Sequence, residues 1–288
     1  MQRDLLSGLM PRCTFPVPGT EVVAGVSGGA DSSAMLALAV EAGCRVTAVH
    51  VDHVLRPGSA QEADRVRELA RSVGATFAAV RAEVVAGPNL EARARAARHA
   101  ALGAGAMTGH TADDQAETVL LRLVRGAGLD GLAAMRPGPT KPILGLRRSE
   151  THAFCSQQGF DVVDDPSNVD PLFRRNRVRA EVLPLLDDLA GRDTAALLAR
   201  AATLLEEDAR FLDTLALALD PTDGRALAQA PLPLARRAVR SWLAVDGYPP
   251  DLATVERVLA VARGERRATD VGGGRRVSRS VGRLTLHR

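Results

Sequence analysis

The stretch "VVAGVSGGADSSAML", residues 22–36, runs an apolar strand into Ser27-Gly28-Gly29-Ala30-Asp31-Ser32 and then into an apolar helix. Glycines between a strand and a helix let backbone N–H groups come close to an anion, and the helix N-terminus adds partial positive charge. Ser27, Ser32 and Ser33 add hydroxyl donors. The turn is therefore suited to phosphate. It is neither G-x-x-x-x-G-K-[ST] nor G-x-G-x-x-G, and it contains no lysine. Its distinguishing residue is Asp31, a carboxylate that repels phosphate alone but becomes a ligand when Mg²⁺ lies between them. A nucleoside triphosphate with Mg²⁺ on Asp31 is the expected occupant. Further along, "GHTADDQAE" places His110 ahead of Asp113, Asp114 and Glu117. On a helix, Asp113 with Glu117, or Asp114 with Glu117, can converge on one face. Such an acidic cluster suits a cationic amine.

The elements that must carry these residues are legible. From Glu21 to Leu146, strand-like runs alternate with helical ones: "EVVAGV", "RVTAVHV", "ATFAAV" and "AGAMTGH" read as strands. Helices are expected over 32–42, 59–73, 89–102 and 112–125, with Ser59 and Glu62 as a capping box and Asn89 as an N-cap. "KPILGL" reads as a fifth strand or an ordered loop. Alternation of this kind predicts an α/β fold with a parallel sheet and right-handed crossovers. Ligands in such sheets bind beyond the carboxyl ends of the strands. Residues 174–186 read as a helix broken at Pro184, and 187–264 as Ala/Leu/Arg-rich helices. The tail reads as short strands or a hairpin around Gly272–Gly274. The expected domains are 1–186, catalytic, and 187–288, smaller and mainly helical.

Composition bounds the rest. With 288 residues and 46% hydrophobic content, two domains and a sizeable core are affordable. The net charge of +3 is compatible with nucleic acid, and Lys141 is the only lysine against many arginines. Cys13, Cys44 and Cys155 form no C-x-x-C pair, which argues against a disulfide framework. No apolar run reaches about 18 residues, so no membrane span is expected. The opening "MQRDLLSGLMPRC" lacks a signal-type apolar core, so the expected location is the cytoplasm.

The S-G-G-x-D-S turn resembles the pyrophosphate (PP) loop of the N-type ATP pyrophosphatases, with an adenine nucleotide alpha hydrolase-like fold. Four further stretches narrow the likeness: "HVDHVLRPGSAQEADRV", "NLEARARAARHAAL", "TGHTADDQAETVLLRLVRGAGLDGLAAM" and "DDPSNVDPLFRRNRVRAEVLPLL". With the turn, in this order, they resemble the tRNA(Ile)-lysidine synthetase family. The resemblance implies that ATP adenylates the wobble cytidine of the CAU anticodon of tRNA(Ile), releasing pyrophosphate. L-Lysine then displaces AMP to give lysidine. It also implies ATP binding at Ser27, Gly28, Gly29, Ala30, Asp31 and Ser32. Lysine falls to Asp114 and Glu117, and catalysis involves Arg95 and His110, the latter as proton shuttle or as a partner of phosphate or base. Arg98, Arg175, Asn176 and Arg179 are assigned to tRNA or adenylate. The chain departs from the family at Thr111, where a second His is common, and at His99, where a Tyr is common. A tRNA thiolase of the same superfamily is the alternative, though its usual cysteine pair is missing. No obligate protein partner is expected.

Overall fold

The computed structural model describes residues 2–52, 59–82, 90–163, 170–245 and 249–288, with the backbone alone at 2–4, 59–60, 90–92, 94 and 95. The expected Asn89 cap and most of the stretches at 53–58 and 164–169 lie outside the described residues, as does the Ser59 side chain. Two compact units form, 1–203 and 204–288.

In the first unit, α1 (Gln2–Leu9) and a 3-10 turn precede β1 (Glu21–Gly25), α2 (Ala30–Glu41), β2 (Arg45–Asp52), α3 (Ser59–Val73), β3 (Thr76–Arg81), α4 (Leu90–Leu102), β4 (Met107–Thr108) and α5 (Ala112–Leu123). The four strands form one parallel sheet in the order β3-β2-β1-β4. Because β1 lies between β2 and β4, strand order reverses beside it. The crevice of a doubly wound sheet opens at that point. Burial drives the arrangement: Met35, Leu36 and Leu38 of α2, Ala24 of β1, Ala48 of β2 and Val66 of α3 share one core with almost no exposed surface. Each such Leu or Met contributes about 1.5–3 kcal/mol by leaving water.

The fourth strand is shorter than the sequence suggested. It pairs with β1 only through Ala24–Met107 and Gly25–Thr108. Gly109 then turns the chain over the start of α2, where an added Cβ would lie 2.8 Å from the Asp31 carbonyl and the Ser32 nitrogen. Of the two readings of "KPILGL", strand or ordered loop, the structure takes the loop. The Thr108 N–H donates to Thr140 at 3.0 Å, so this loop covers the sheet edge that a further strand would have occupied. Ile143 and Leu146 anchor it in the core.

After the short α6 (Leu129–Leu132) come α7 (Arg148–Gln158), α8 (Arg174–Arg177) and α9 (Leu183–Ala190). Pro184 does not end the helix. A π-helical segment, Val178–Val182, joins α8 to α9. Proline clashes with the carbonyl four residues earlier, here Ala180, and the wider π turn accommodates that clash.

The long α10 (Thr194–Ala216) runs across the division between the units. The second unit adds α11 (Gly224–Gln229), α12 (Leu232–Leu243) and α13 (Leu252–Arg263). An antiparallel sheet follows, β5 (Ala268–Gly272), β6 (Arg275–Ser280) and β7 (Arg283–His287). Gly272, Gly273 and Gly274 all take positive φ at the β5–β6 turn, where other residues would be strained. Leu227, Val239, Leu243, Val258, Leu259, Val277 and Leu284 form this unit's own core. No helix among the described residues is long and apolar enough to cross a membrane.

Candidate active site at the carboxyl ends of β1 and β4

The turn after β1 is built from backbone. Gly28 sits at φ +91°, and an added Cβ would meet Val163 Cγ2 at 3.0 Å. The Val163 N–H donates to the Gly28 carbonyl at 2.9 Å, tying the turn to a second segment. Ser32 Oγ accepts from the Ser27 N–H at 3.2 Å and donates to the Gly29 carbonyl at 2.9 Å. The first helical bond of α2 is Ser33 N–H to Gly29, so the preceding amides have no carbonyl behind them within the helix. These amides at a helix start, with no side chain on Gly28 or Gly29 in the way, fit an anionic phosphate.

Asp31 lies in the first turn of α2. Its Oδ1 accepts from the Thr151 hydroxyl, and its Oδ2 lies 3.4 Å from Arg148 Nε. Burial pushes its carboxyl above the ordinary aspartate value, against the pull of Thr151 and Arg148. The same Arg148 reaches Asp114 Oδ1 at 3.1 Å and Glu117 Oε1 at 3.3 Å. Glu117 is fully buried. It also faces Arg179 Nε at 2.8 Å and Arg175 Nε at 3.2 Å. Three carboxylates, Asp31, Asp114 and Glu117, thus meet three guanidiniums.

The open choice between Asp113 and Asp114 is resolved by this geometry: Asp114 and Glu117 converge. Asp113 turns to Arg147, which grips it through Nε at 3.0 Å and Nη2 at 2.9 Å, and it accepts the Arg148 N–H at 2.7 Å. Burial raises the Asp113 pKa, but these contacts prevail and hold it below the ordinary value. Asp114 is aimed by its own helix start: both the N–H and the hydroxyl of Thr111 donate to Asp114 Oδ2, at 2.9 and 3.0 Å. That leaves Oδ1 to the Arg148 guanidinium, 3.1 Å away.

His110 follows β4, with Nδ1 2.8 Å from the Thr108 hydroxyl. Asn176 Nδ2 donates to the Asp170 carbonyl at 2.9 Å, within the turn before α8. Arg98 is half-buried on α4, and the side chain of Arg95 lies outside the described residues. The structure therefore brings Asp31, Asp114, Glu117, Arg175 and Arg179 together.

Arg147, Arg148, Thr151 and Thr108 were not anticipated as site residues. A signal for the first two existed. Two arginines open α7, where cations oppose the helix dipole. That local cost is offset by the acids of α2 and α5, by Asp193 on Arg147 and by Glu150 in the first turn of α7.

The three thiols are set apart from this chemistry. Cys13, Cys44 and Cys155 donate to the separate carbonyls of Leu9, Pro16 and Ala30. Burial pushes Cys13 up to about 11 and Cys155 up to about 12, away from the thiolate that sulfur transfer or iron ligation uses. Among the described residues there is no group of three or more His, Cys, Asp or Glu placed to hold a metal.

Residues 7–186 match the family model of the PP-loop domain. The tRNA(Ile)-lysidine synthase of Nocardia farcinica is 43% identical over 95% of this chain and 94% of its own length. That of Rhodococcus erythropolis is 41% identical over 93% of this chain and 90% of its own. Among solved structures, the U34-tRNA thiolase NcsA of Methanococcus maripaludis superposes with a TM-score of 0.56. It is 17% identical over 71% of this chain and 80% of its own, a likeness of fold alone. The glycine turn after β1, the acids gathered beside it around Arg148 and these matches agree: the chain belongs to the tRNA(Ile)-lysidine synthase family, built on an ATP-binding PP-loop domain.

Proposed function

We propose that this chain joins L-lysine to the wobble cytidine of the CAU anticodon of tRNA(Ile), using ATP. The observation that carries the reading is the meeting of Asp31, from the phosphate turn, with Asp114 and Glu117 around one guanidinium. Nucleotide chemistry and cation capture then share one crevice.

The residues fit the groups required. The amides before Ser33 and the hydroxyl of Ser27 face where a triphosphate would bind. Asp31 Oδ2 offers one carboxylate oxygen to Mg²⁺, which characteristically takes one or two carboxylates and fills its shell with phosphate and water. When bound, the metal supplies charge neutralisation, so that the cytidine 2-carbonyl oxygen can approach the α-phosphorus. That oxygen displaces pyrophosphate and becomes adenylated. The carboxylates of Asp114 and Glu117 hold the incoming lysine, and its ε-amine must lose a proton before attack. It then attacks C2 and AMP leaves. His110, with Nδ1 2.8 Å from the Thr108 hydroxyl, is the proposed proton shuttle or partner of the phosphate or base. Arg175, Arg179 and Arg98 face the RNA or the adenylate, and Arg95 belongs with them. The second unit is the proposed tRNA contact, and the reaction is placed in the cytoplasm.

Incubation with ATP, Mg²⁺, radiolabelled lysine and tRNA transcripts tests this. Label is expected in the isoleucine CAU transcript alone. Label in the methionine CAU transcript to the same extent, or in neither, refutes it.

A further inference from the structure

We propose that Arg148 is a positioning residue that stands in for substrate charge, and that its departure from the carboxylates couples nucleotide binding to lysine capture. The inference rests on the function proposed above.

Arg148 holds the oxygens that other partners leave open. Asp31 Oδ1 is taken by Thr151, and Arg148 lies on Oδ2. Asp114 Oδ2 is taken twice by Thr111, and Arg148 lies on Oδ1. These free oxygens are the ones an incoming cation would use. Arg148 holds each weakly, by one contact of 3.1 to 3.4 Å per acid. Strong guanidinium–carboxylate pairs are bidentate and shorter, as Arg147 shows on Asp113. Its backbone, by contrast, is fixed: the N–H donates to Asp113 at 2.7 Å, and the carbonyl accepts the Thr151 hydroxyl at 2.8 Å. An anchored backbone carrying a loosely held cation is a pivot.

Charge balance supplies the coupling. Without substrates, Arg148, Arg175 and Arg179 balance Asp31, Asp114 and Glu117. Lysine brings a cation to oxygens already covered by one. A nucleotide at the turn brings phosphate oxygens beside Asp31, which give the Arg148 guanidinium a new partner. Asp114 Oδ1 then faces lysine uncovered, and Glu117 is left with Arg175 and Arg179 alone. By linkage, lysine must tighten nucleotide binding by the same factor.

The test is calorimetric titration of L-lysine into the full chain, with and without Mg²⁺ and α,β-methylene ATP. In the wild type, the nucleotide is expected to tighten lysine binding about tenfold. Arg148→Gln should bind lysine more tightly than wild type without nucleotide, and nucleotide should then change its affinity by less than about twofold. Arg148→Lys, which keeps one cation, should fall between them. Lysine affinity indifferent to nucleotide in the wild type overturns the proposal, whether or not Arg148→Gln folds. So does a tenfold nucleotide effect that survives in Arg148→Gln. The same preparation is assayed for lysine transfer to tRNA. Transfer without coupling overturns the role of Arg148 alone, whereas no transfer and no lysine binding overturn the function it rests on.

Discussion

Replacing Glu117 by Gln keeps the shape of the side chain and removes its charge. The wild-type carboxylate is fully buried and faces Arg179 at 2.8 Å, Arg175 at 3.2 Å and Arg148 at 3.3 Å. Removing it leaves three guanidiniums against Asp31 and Asp114. Breaking a buried pair typically costs about 3–5 kcal/mol because the remaining charge is stranded. Here the arginines retain 22 to 31% of their side-chain exposure, so water compensates in part. The expected cost is therefore about 2–3 kcal/mol. For a unit of this size, each kcal/mol moves the thermal midpoint by about 2–4 °C, so a fall of about 4–12 °C is expected. Circular dichroism melts at pH 7 measure it, and single-turnover assays should show lysine transfer falling at least about tenfold, the weight of one lost charge contact. A midpoint within about 1 °C of wild type, well under the shift one lost kcal/mol gives, would show that this carboxylate does not hold the three arginines together.

Asp31→Asn should abolish adenylation yet raise the thermal midpoint at pH 7. A carboxyl whose folded pKa is raised contributes stability below its unfolded value, about 3.9, and loses it as pH rises through the folded value. The difference in midpoint should accordingly shrink as pH falls toward about 4. Asp113 has the opposite sign: its depressed pKa gives stability that is present above about pH 4 and lost on acidification through the folded value. Asp113→Asn should lower the midpoint at pH 7 and flatten the acid limb of the pH–midpoint curve. Gly109→Ala places a methyl 2.8 Å from the backbone of Asp31 and Ser32, so it should cost about 1–3 kcal/mol and weaken ATP binding measured by titration. Thr111→Val removes the hydroxyl but not the N–H that aims Asp114. It should cost about 1 kcal/mol in denaturant melts and raise the KM for lysine more than it lowers kcat.

The sheet and the glycine turn after β1 were legible because their signals are local. Apolar runs specify β1 to β3, and Gly28, at positive φ, carries the conformational freedom the turn before α2 uses. The pairing of Asp114 with Glu117 was legible only as one of two options, since helical spacing does not say which face meets the crevice. Thr111, noted in the sequence only as a departure from the family, decides it by fixing Asp114 Oδ2. Arg148 escaped notice because its role depends on contacts with residues 31, 114 and 117, all distant along the chain. The segment at 141–146 was legible only as a strand or an ordered loop, because its apolar residues suit either; the structure takes the loop, with Ile143 and Leu146 anchored in the core.

The central claim is that one crevice performs two separable steps, adenylation through Asp31 and lysine capture through Asp114. The most direct measurement follows pyrophosphate release and lysine transfer side by side on the isoleucine CAU transcript, in Asp31→Ala and Asp114→Ala. Asp31→Ala is predicted to lose both, and Asp114→Ala to release pyrophosphate while failing to transfer lysine. Normal lysine transfer by Asp114→Ala, or undiminished pyrophosphate release by Asp31→Ala, would contradict it.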